Sequence, residues 1–165
     1  MGQHGDVPII ERPGPEDAAA MGQLFFEDMQ DLGIETSVEA QSRLARSVIE
    51  AGLSEPPLCI SWVARLAPDG EAVGVALANF NFSLKFAGPS LWIEELYVTP
   101  RARRRGIGRL LVEKILNYAE AEGIQGIDLE AYQGNTPASI LYRSLGFYRL
   151  GRERFYYRLG PQEYL

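Results

Sequence analysis

The stretch VTPRARRRGIGRLLVEKIL, residues 98–116, changes periodicity within a single turn. SLWIEELYVTP (90–100) leads into it as a β-rich run. After Pro100 the apolar residues Ile107, Leu110, Leu111, Ile115 and Tyr118 form one helical stripe that breaks at Gly123. A strand feeding a Gly-rich turn that opens a helix makes an anion site, because the first helical N–H groups have no partner and the helix dipole is positive there. Phosphate is the obvious guest. In Arg103-x-x-Gly106-x-Gly108 each glycine permits a left-handed backbone or a close approach of main chain to ligand. Arg104, Arg105 and Arg109 can add fork-shaped donors. The spacing is not that of a dinucleotide fold, and no Lys-Ser/Thr follows it, which excludes a P-loop. The bland alternative is a solvated turn whose glycines merely start a helix.

The surrounding chain has 165 residues, 46% hydrophobic and 23% charged, with formal net charge −6. That length suits one domain, 1–165, with a core that needs no staples, and residues 1–6 are expected to be mobile. The single cysteine, Cys59, makes an internal disulfide impossible, fits a reducing compartment and excludes a Cys-rich zinc module. No apolar run approaches a membrane span, and MGQHGDVPIIERPGPED lacks the order of a signal peptide. The expectation is a soluble, cytoplasmic protein with no membrane partner. The acidic balance argues against nucleic acid as a partner. Yet 14 of the 16 basic residues are arginine, and five of them (Arg101, Arg103, Arg104, Arg105, Arg109) fall within nine positions.

Outward from the turn, VPIIERP (7–13) reads as a first strand. Helices are expected over 16–32, stopped by Gly33, and over 37–50, capped by Ser37 and closed by Gly52. LCISWVARL (58–66) and AVGVALANFNFSL (72–84) are strands joined at Pro68-Asp69-Gly70, and Ala87-Gly88-Pro89 is a further turn. GIDLEAY (126–132) is strand-like, residues 135–145 are helical behind Asn135 or Thr136, and 147–159 closes as one or two strands. The order β-α-α-β-β-β-α-β-α-β, with an optional last strand, is an α/β sandwich with a mixed sheet.

The run at 98–116 resembles the acyl-coenzyme A signature of the GNAT superfamily of N-acetyltransferases, Gln/Arg-x-x-Gly-x-Gly/Ala, matched by Arg103, Gly106 and Gly108. Asn135-x-x-Ala138-x-x-x-Tyr142-x-x-x-Gly146-Phe147 resembles the family's later helix and the strand after it. The likeness runs from about Val7 to Leu159. It implies a mostly antiparallel sheet flanked by helices, with acetyl-CoA as cofactor. The backbone from Arg104 through Arg105, Gly106, Ile107 and Gly108 to Arg109 would hold the pyrophosphate. Leu96, Tyr97 and Val98, at a splayed strand edge, would pair with the pantetheine arm, and Asn135, Ala138 and Tyr142 would line the thiol end.

Acetyl transfer to an amine needs an unprotonated amine, a stabilised oxyanion and a protonated leaving thiolate. The only histidine, His4, lies in the polar N-terminal segment, and Cys59 lies in an apolar run with no histidine to activate it, so direct transfer is favoured over an acyl-enzyme. Glu94 and Glu95 interrupt an apolar strand, where neighbouring side chains should point to opposite faces and not share one role. Similarity to polyamine-type acetyltransferases, which carry Leu-Glu-Asp here, places the base at Glu94, acting directly or through water. It also makes Tyr142 the acid that protonates the thiolate, and the N–H near Leu96 is the expected oxyanion donor. The plain alternatives are a sheet-edge ion pair for the glutamates and core packing for Tyr142. Asn79, Phe80, Asn81 and Phe82, with Trp92 and Glu95, could line an acceptor site, since aromatic faces and carboxylates attract cationic amines. No residue pattern suggests a metal. A small polyamine-like or aminoalkyl acceptor comes first; an aminoglycoside, an amino acid or a protein N-terminus meets the same chemistry. A non-catalytic acyl-CoA-binding module is the competing reading. Family members are often dimers, and Phe155, Tyr156 and Tyr157 offer apolar area that a homodimer or the core could use.

Overall fold

The structure, a computed structural model, describes residues 7–160, so the expected mobility of residues 1–6, and His4 with them, lies outside the described residues. In chain order the elements are β1 (Ile9–Glu11), α1 (Ala18–Asp31), α2 (Val38–Leu53), β2 (Cys59–Arg65), β3 (Ala72–Ser83), β4 (Gly88–Val98), α3 (Ile107–Ala121), β5 (Gly126–Leu129) and α4 (Thr136–Ser144). The five strands lie in sequence order in one sheet, antiparallel from β1 to β4, with β5 parallel to β4. This is the α/β class and mixed sheet expected from the sequence.

Local chemistry explains most of the boundaries. Ser37 caps α2 by accepting from the Ala40 N–H at 3.1 Å, and Asn135 caps α4 by accepting from the Ala138 N–H at 3.3 Å. Helix α1 ends at Asp31, just before Gly33, whose φ of 71° lies in the left-handed region expected of the stop. Helix α2 runs on through Gly52 to Leu53, past its expected end.

The sheet carries a core on each face. On one, α3 lays Ile107, Leu111 and Ile115 over Val73, Ala76, Ala78, Leu91 and Ile93. On the other, Met21, Leu24 and Phe25 of α1 and Ala45 and Ile49 of α2 meet Val63, Val75 and Tyr97. Helices α1 and α2 are in close contact at Gly22, where a Cβ would lie 2.5 Å from the Ser42 Cα.

Strand β4 departs from simple alternation. Leu77 pairs with Glu95 and Ala78 with Ile93, so Glu94 is an extra residue in the ladder, a β-bulge. Leu91 and Ile93 face the α3 core, and beyond the bulge Leu96 and Val98 take over that face while Tyr97 enters the opposite core. The bulge therefore resets the phase of the strand.

Residues 147–159, expected to form one or two strands, make no ladder. Phe155, Tyr156 and Tyr157 are at least 85% exposed. Arg149, Gly151, Arg152 and Arg154 interrupt the alternation, so the segment has no continuous apolar face to bury. It is tied down instead by Arg154, whose Nη1 lies 2.6 Å from Glu130 Oε2 and whose guanidinium sits over the Trp92 ring. Strand β5 likewise ends at Leu129, short of the expected 132.

The Gly22 contact gives a direct test of the packing. Gly22→Ala should destabilise the protein by about 1–3 kcal/mol, because the Ser42 backbone cannot yield without separating the helices. Urea unfolding should show the lower midpoint with an unchanged slope.

Candidate active site

The turn between β4 and α3 presents unpartnered backbone donors. Arg104 and Gly106 have φ of 62° and 74°, and these two left-handed residues swing the chain into α3. No side chain caps the helix at Gly106, and its first ladder bond is the Leu110 N–H to the Gly106 carbonyl. The N–H groups of Ile107, Gly108 and Arg109 therefore have no helical acceptor. A Cβ at Gly106 would stand in open space, so glycine is required there for its conformation and for access to its backbone.

The five arginines of this region divide by role. Arg101 pairs with Glu71 at 2.6 Å. Arg103 donates from Nε to the Val98 carbonyl at 2.9 Å, lies 3.3 Å from Asp31 and covers the Tyr97 ring. Arg109 bridges to α4 through the Ser144 hydroxyl at 2.6 Å and pairs with Glu113. Among the described residues Arg104 and Arg105 form no ion pair, and both are exposed. Two free guanidinium groups over a row of unpartnered amides form a donor set that fits a pyrophosphate.

Beside this turn the sheet opens. The β4–β5 pairing ends at Ile93 with Leu129, so among the described residues β4 from Glu94 to Val98 has no strand partner on that side. The Thr99 N–H donates to Val73 on β3. Strand alternation then turns the polar groups of Leu96 and Val98 to the open edge. The Val98 carbonyl already takes Arg103 there. The Leu96 N–H donates to Oε1 of its neighbour Glu95 at 2.9 Å. The Tyr97 side chain lies on the α1 side of the sheet: its hydroxyl is 3.4 Å from both Glu27 and Asp31 of α1, and burial raises its pKa.

Glu94 is exposed, and its Oε2 accepts from Asn79 Nδ2 at 3.4 Å. Glu95 is different. Its pKa is raised to about 8, by burial first and then by the charge of Asp28 and a hydrogen bond to the Asp28 carboxyl. Glu94 adds to the effect through its own charge, so the two glutamates share one electrostatic neighbourhood. The expectation that they point to opposite faces fails because the bulge cancels the alternation on which it rested.

Tyr142 on α4 is 9% exposed and packs edge-to-face on Phe147 at 5.8 Å. Burial first, then the charge of Glu95, pushes its pKa up to about 12. The charge of Glu95 thus reaches Tyr142. Ala138 lies one helical turn before Tyr142, and the side chain of Asn135 is spent on its cap. Asn81 sits on the exposed outer end of β3, and Trp92 lies beneath Arg154. Sequence reasoning missed Asp28. Its signal was a carboxylate on the buried stripe of α1, four residues after Leu24 and three after Phe25. An open cavity of about 350 Å³ lies against the same end of α1, lined in part by Glu27, Gln30, Asp31 and Tyr97.

The profile of the acetyltransferase (GNAT) family matches residues 21–147, which holds the turn, the bulge and Tyr142. The chain belongs to the GNAT acetyltransferase family. An uncharacterised N-acetyltransferase from Schizosaccharomyces pombe is 31% identical over 135 residues, 81% of this chain and 77% of that protein. Thialysine N-ε-acetyltransferase from Bos taurus is 30% identical over 113 residues, 64% of this chain and 66% of that protein. A possible acetyltransferase from Clostridium difficile superposes with a TM-score of 0.77 at 21% identity, over 94% of this chain and 99% of that one. This GNAT protein is an acetyl-CoA-dependent N-acetyltransferase. Among the described residues no helix is long and apolar enough to cross a membrane.

Gly106→Asp tests the turn. The substitution forces a side chain into the left-handed region and sets a carboxylate where the anion should sit, so the Kd for CoA should rise at least tenfold, about 1.4 kcal/mol. Calorimetric titration measures it, and far-UV circular dichroism should stay unchanged.

Proposed function

We propose that this GNAT enzyme acetylates a small cationic primary amine, of polyamine-like or aminoalkyl type, by direct transfer. The observation that carries the reading is a grouping of carboxylates. Glu27, Asp28 and Asp31 on one helix and Glu94 and Glu95 at the β4 bulge collect on the acceptor side of the strand. An ammonium group is drawn to such a field, and the net charge of −6 favours its approach. The cavity beside Glu27 and Asp31 gives the distal part of an aminoalkyl chain a place to lie. The bovine relative, named for the ε-amine of thialysine, fits the same class.

Acetyl-CoA supplies an activated acyl group when bound. The amides of residues 104–109 with Arg104 and Arg105 hold its pyrophosphate, and the open edge at Leu96 and Val98 pairs with its pantetheine arm. Glu94, in contact with water, takes the amine proton directly or through one water molecule. The Leu96 N–H meets the charge that develops on the carbonyl oxygen. Tyr142, which keeps its proton throughout the physiological range, donates it to the departing thiolate.

A thiol-release assay over an amine panel tests the acceptor class. Turnover should be highest with aminoalkyl compounds and diamines, ahead of aminoglycosides and peptides. Tight CoA binding with no turnover on any amine would favour a non-catalytic module. Glu94→Gln should lower kcat/KM most at the acid end of the profile, where the amine carries its proton. Tyr142→Phe should lower kcat by about 10²-fold or more. An unchanged pH profile in Glu94→Gln would place the base elsewhere.

A further inference from the structure

One hydrogen bond at the cleft conflicts with the transfer chemistry. The Leu96 N–H is the donor on the open edge of β4 closest to the bulge, and it is already held by Glu95 Oε1 at 2.9 Å. A single N–H cannot serve both that carboxyl and a thioester carbonyl at full strength. The same carboxyl group hydrogen-bonds to Asp28, which α1 presents from across the strand.

We propose that Glu95 is a displaceable gate on the Leu96 amide, and that Asp28 is the positioning residue that keeps the gate openable by holding the Glu95 carboxyl as a neutral acid. The inference rests on the reading that the Leu96 N–H receives the thioester carbonyl.

The electrostatics explain why neutrality matters. An ionised carboxylate is a stronger acceptor than a neutral acid, so it would hold the N–H more firmly. It would also place a negative charge beside the oxygen on which negative charge develops. A neutral acid does neither, and its O–H is free to donate to Asp28. Every neighbour but one favours the neutral form of Glu95. Burial, the charges of Asp28 and Glu94 and the hydrogen bond to Asp28 all raise its pKa, and only the Leu96 N–H lowers it. Tyr142, the titratable group facing it from α4, is neutral below about pH 12. Asp28 has Asp31 and Arg103 beside it, whose opposite charges act on it in opposite directions. The sign follows. Below about pH 8 Glu95 is protonated and yields the N–H; above it the carboxylate closes the site.

The test compares two ligands that differ only at the acyl group. CoA lacks the carbonyl and should be indifferent to the gate, while acetyl-CoA should feel it. Both are titrated calorimetrically without an amine between pH 6.5 and 9, and the quantity read is the ratio of the two dissociation constants. In the native protein the preference for acetyl-CoA should fall about five- to tenfold across pH 8, roughly the worth of one hydrogen bond. Asp28→Asn should move that fall to lower pH. Glu95→Gln, neutral at every pH, should make the preference independent of pH, and Glu95→Ala should make it both independent of pH and larger. CoA affinity serves as the control for folding, since the turn at 104–109 is untouched in all three variants. If CoA itself fails to bind, the reading of the cleft fails. If CoA binds but the preference is the same in Glu95→Ala as in the native protein, or does not change with pH in the latter, the gate is refuted.

Discussion

Strand β4 loses its parallel partner after Ile93, and everything at the site depends on that loss. The chain has a fifth strand of only four residues, Gly126–Leu129, so the sheet closes over the first half of β4 and leaves the second half with one bare edge. A bare strand edge is a row of unpaired donors and acceptors that another strand-like chain can complete. The bulge at Glu94 falls at the point where the pairing stops, and it turns the backbone and its two glutamates toward the opening. The cleft is therefore a consequence of sheet geometry before any side chain is considered.

Charge is divided across this opening. An acidic chain keeps one cationic turn, and within that turn only Arg104 and Arg105 are free of ion pairs among the described residues. Arg103 works as a seam, holding the Val98 carbonyl and reaching Asp31 so that the turn and α1 keep a fixed relation. On one side of the seam lie amides and guanidinium groups suited to a polyanion. On the other lie the carboxylates of α1 and β4, suited to a cation. The proposed transfer from an anionic donor to a cationic amine needs both fields, close together but separated.

Much of this was legible in the sequence, and what was not has physical causes. The turn could be read because its geometry is local: a strand, two glycines and a helix stripe fix a strand-to-helix turn with unpartnered amides, without knowledge of the rest. The caps at Ser37 and Asn135 and the stop at Gly33 could be read for the same reason. The bulge could not, because it is a mismatch between two strands and neither strand shows it alone. That one unseen residue reversed the inference that Glu94 and Glu95 face apart. Asp28 was hidden because its partner lies 67 positions away, although a carboxylate on the apolar stripe of α1 was a signal in plain view. The last expected strand failed where arginines break the alternation, a case in which aromatic content outweighed pattern.

The central claim is that the bare edge of β4 and the turn before α3 together form the acetyl-CoA cleft. Residue-resolved amide hydrogen exchange, with and without CoA, tests it most directly, since the claim is about which backbone amides acquire partners. Protection should appear at Val98 and through residues 104–109, with little change at the more distant strands β1 and β2. Protection confined to other segments, with the amides of 104–109 exchanging as freely as before, would contradict it.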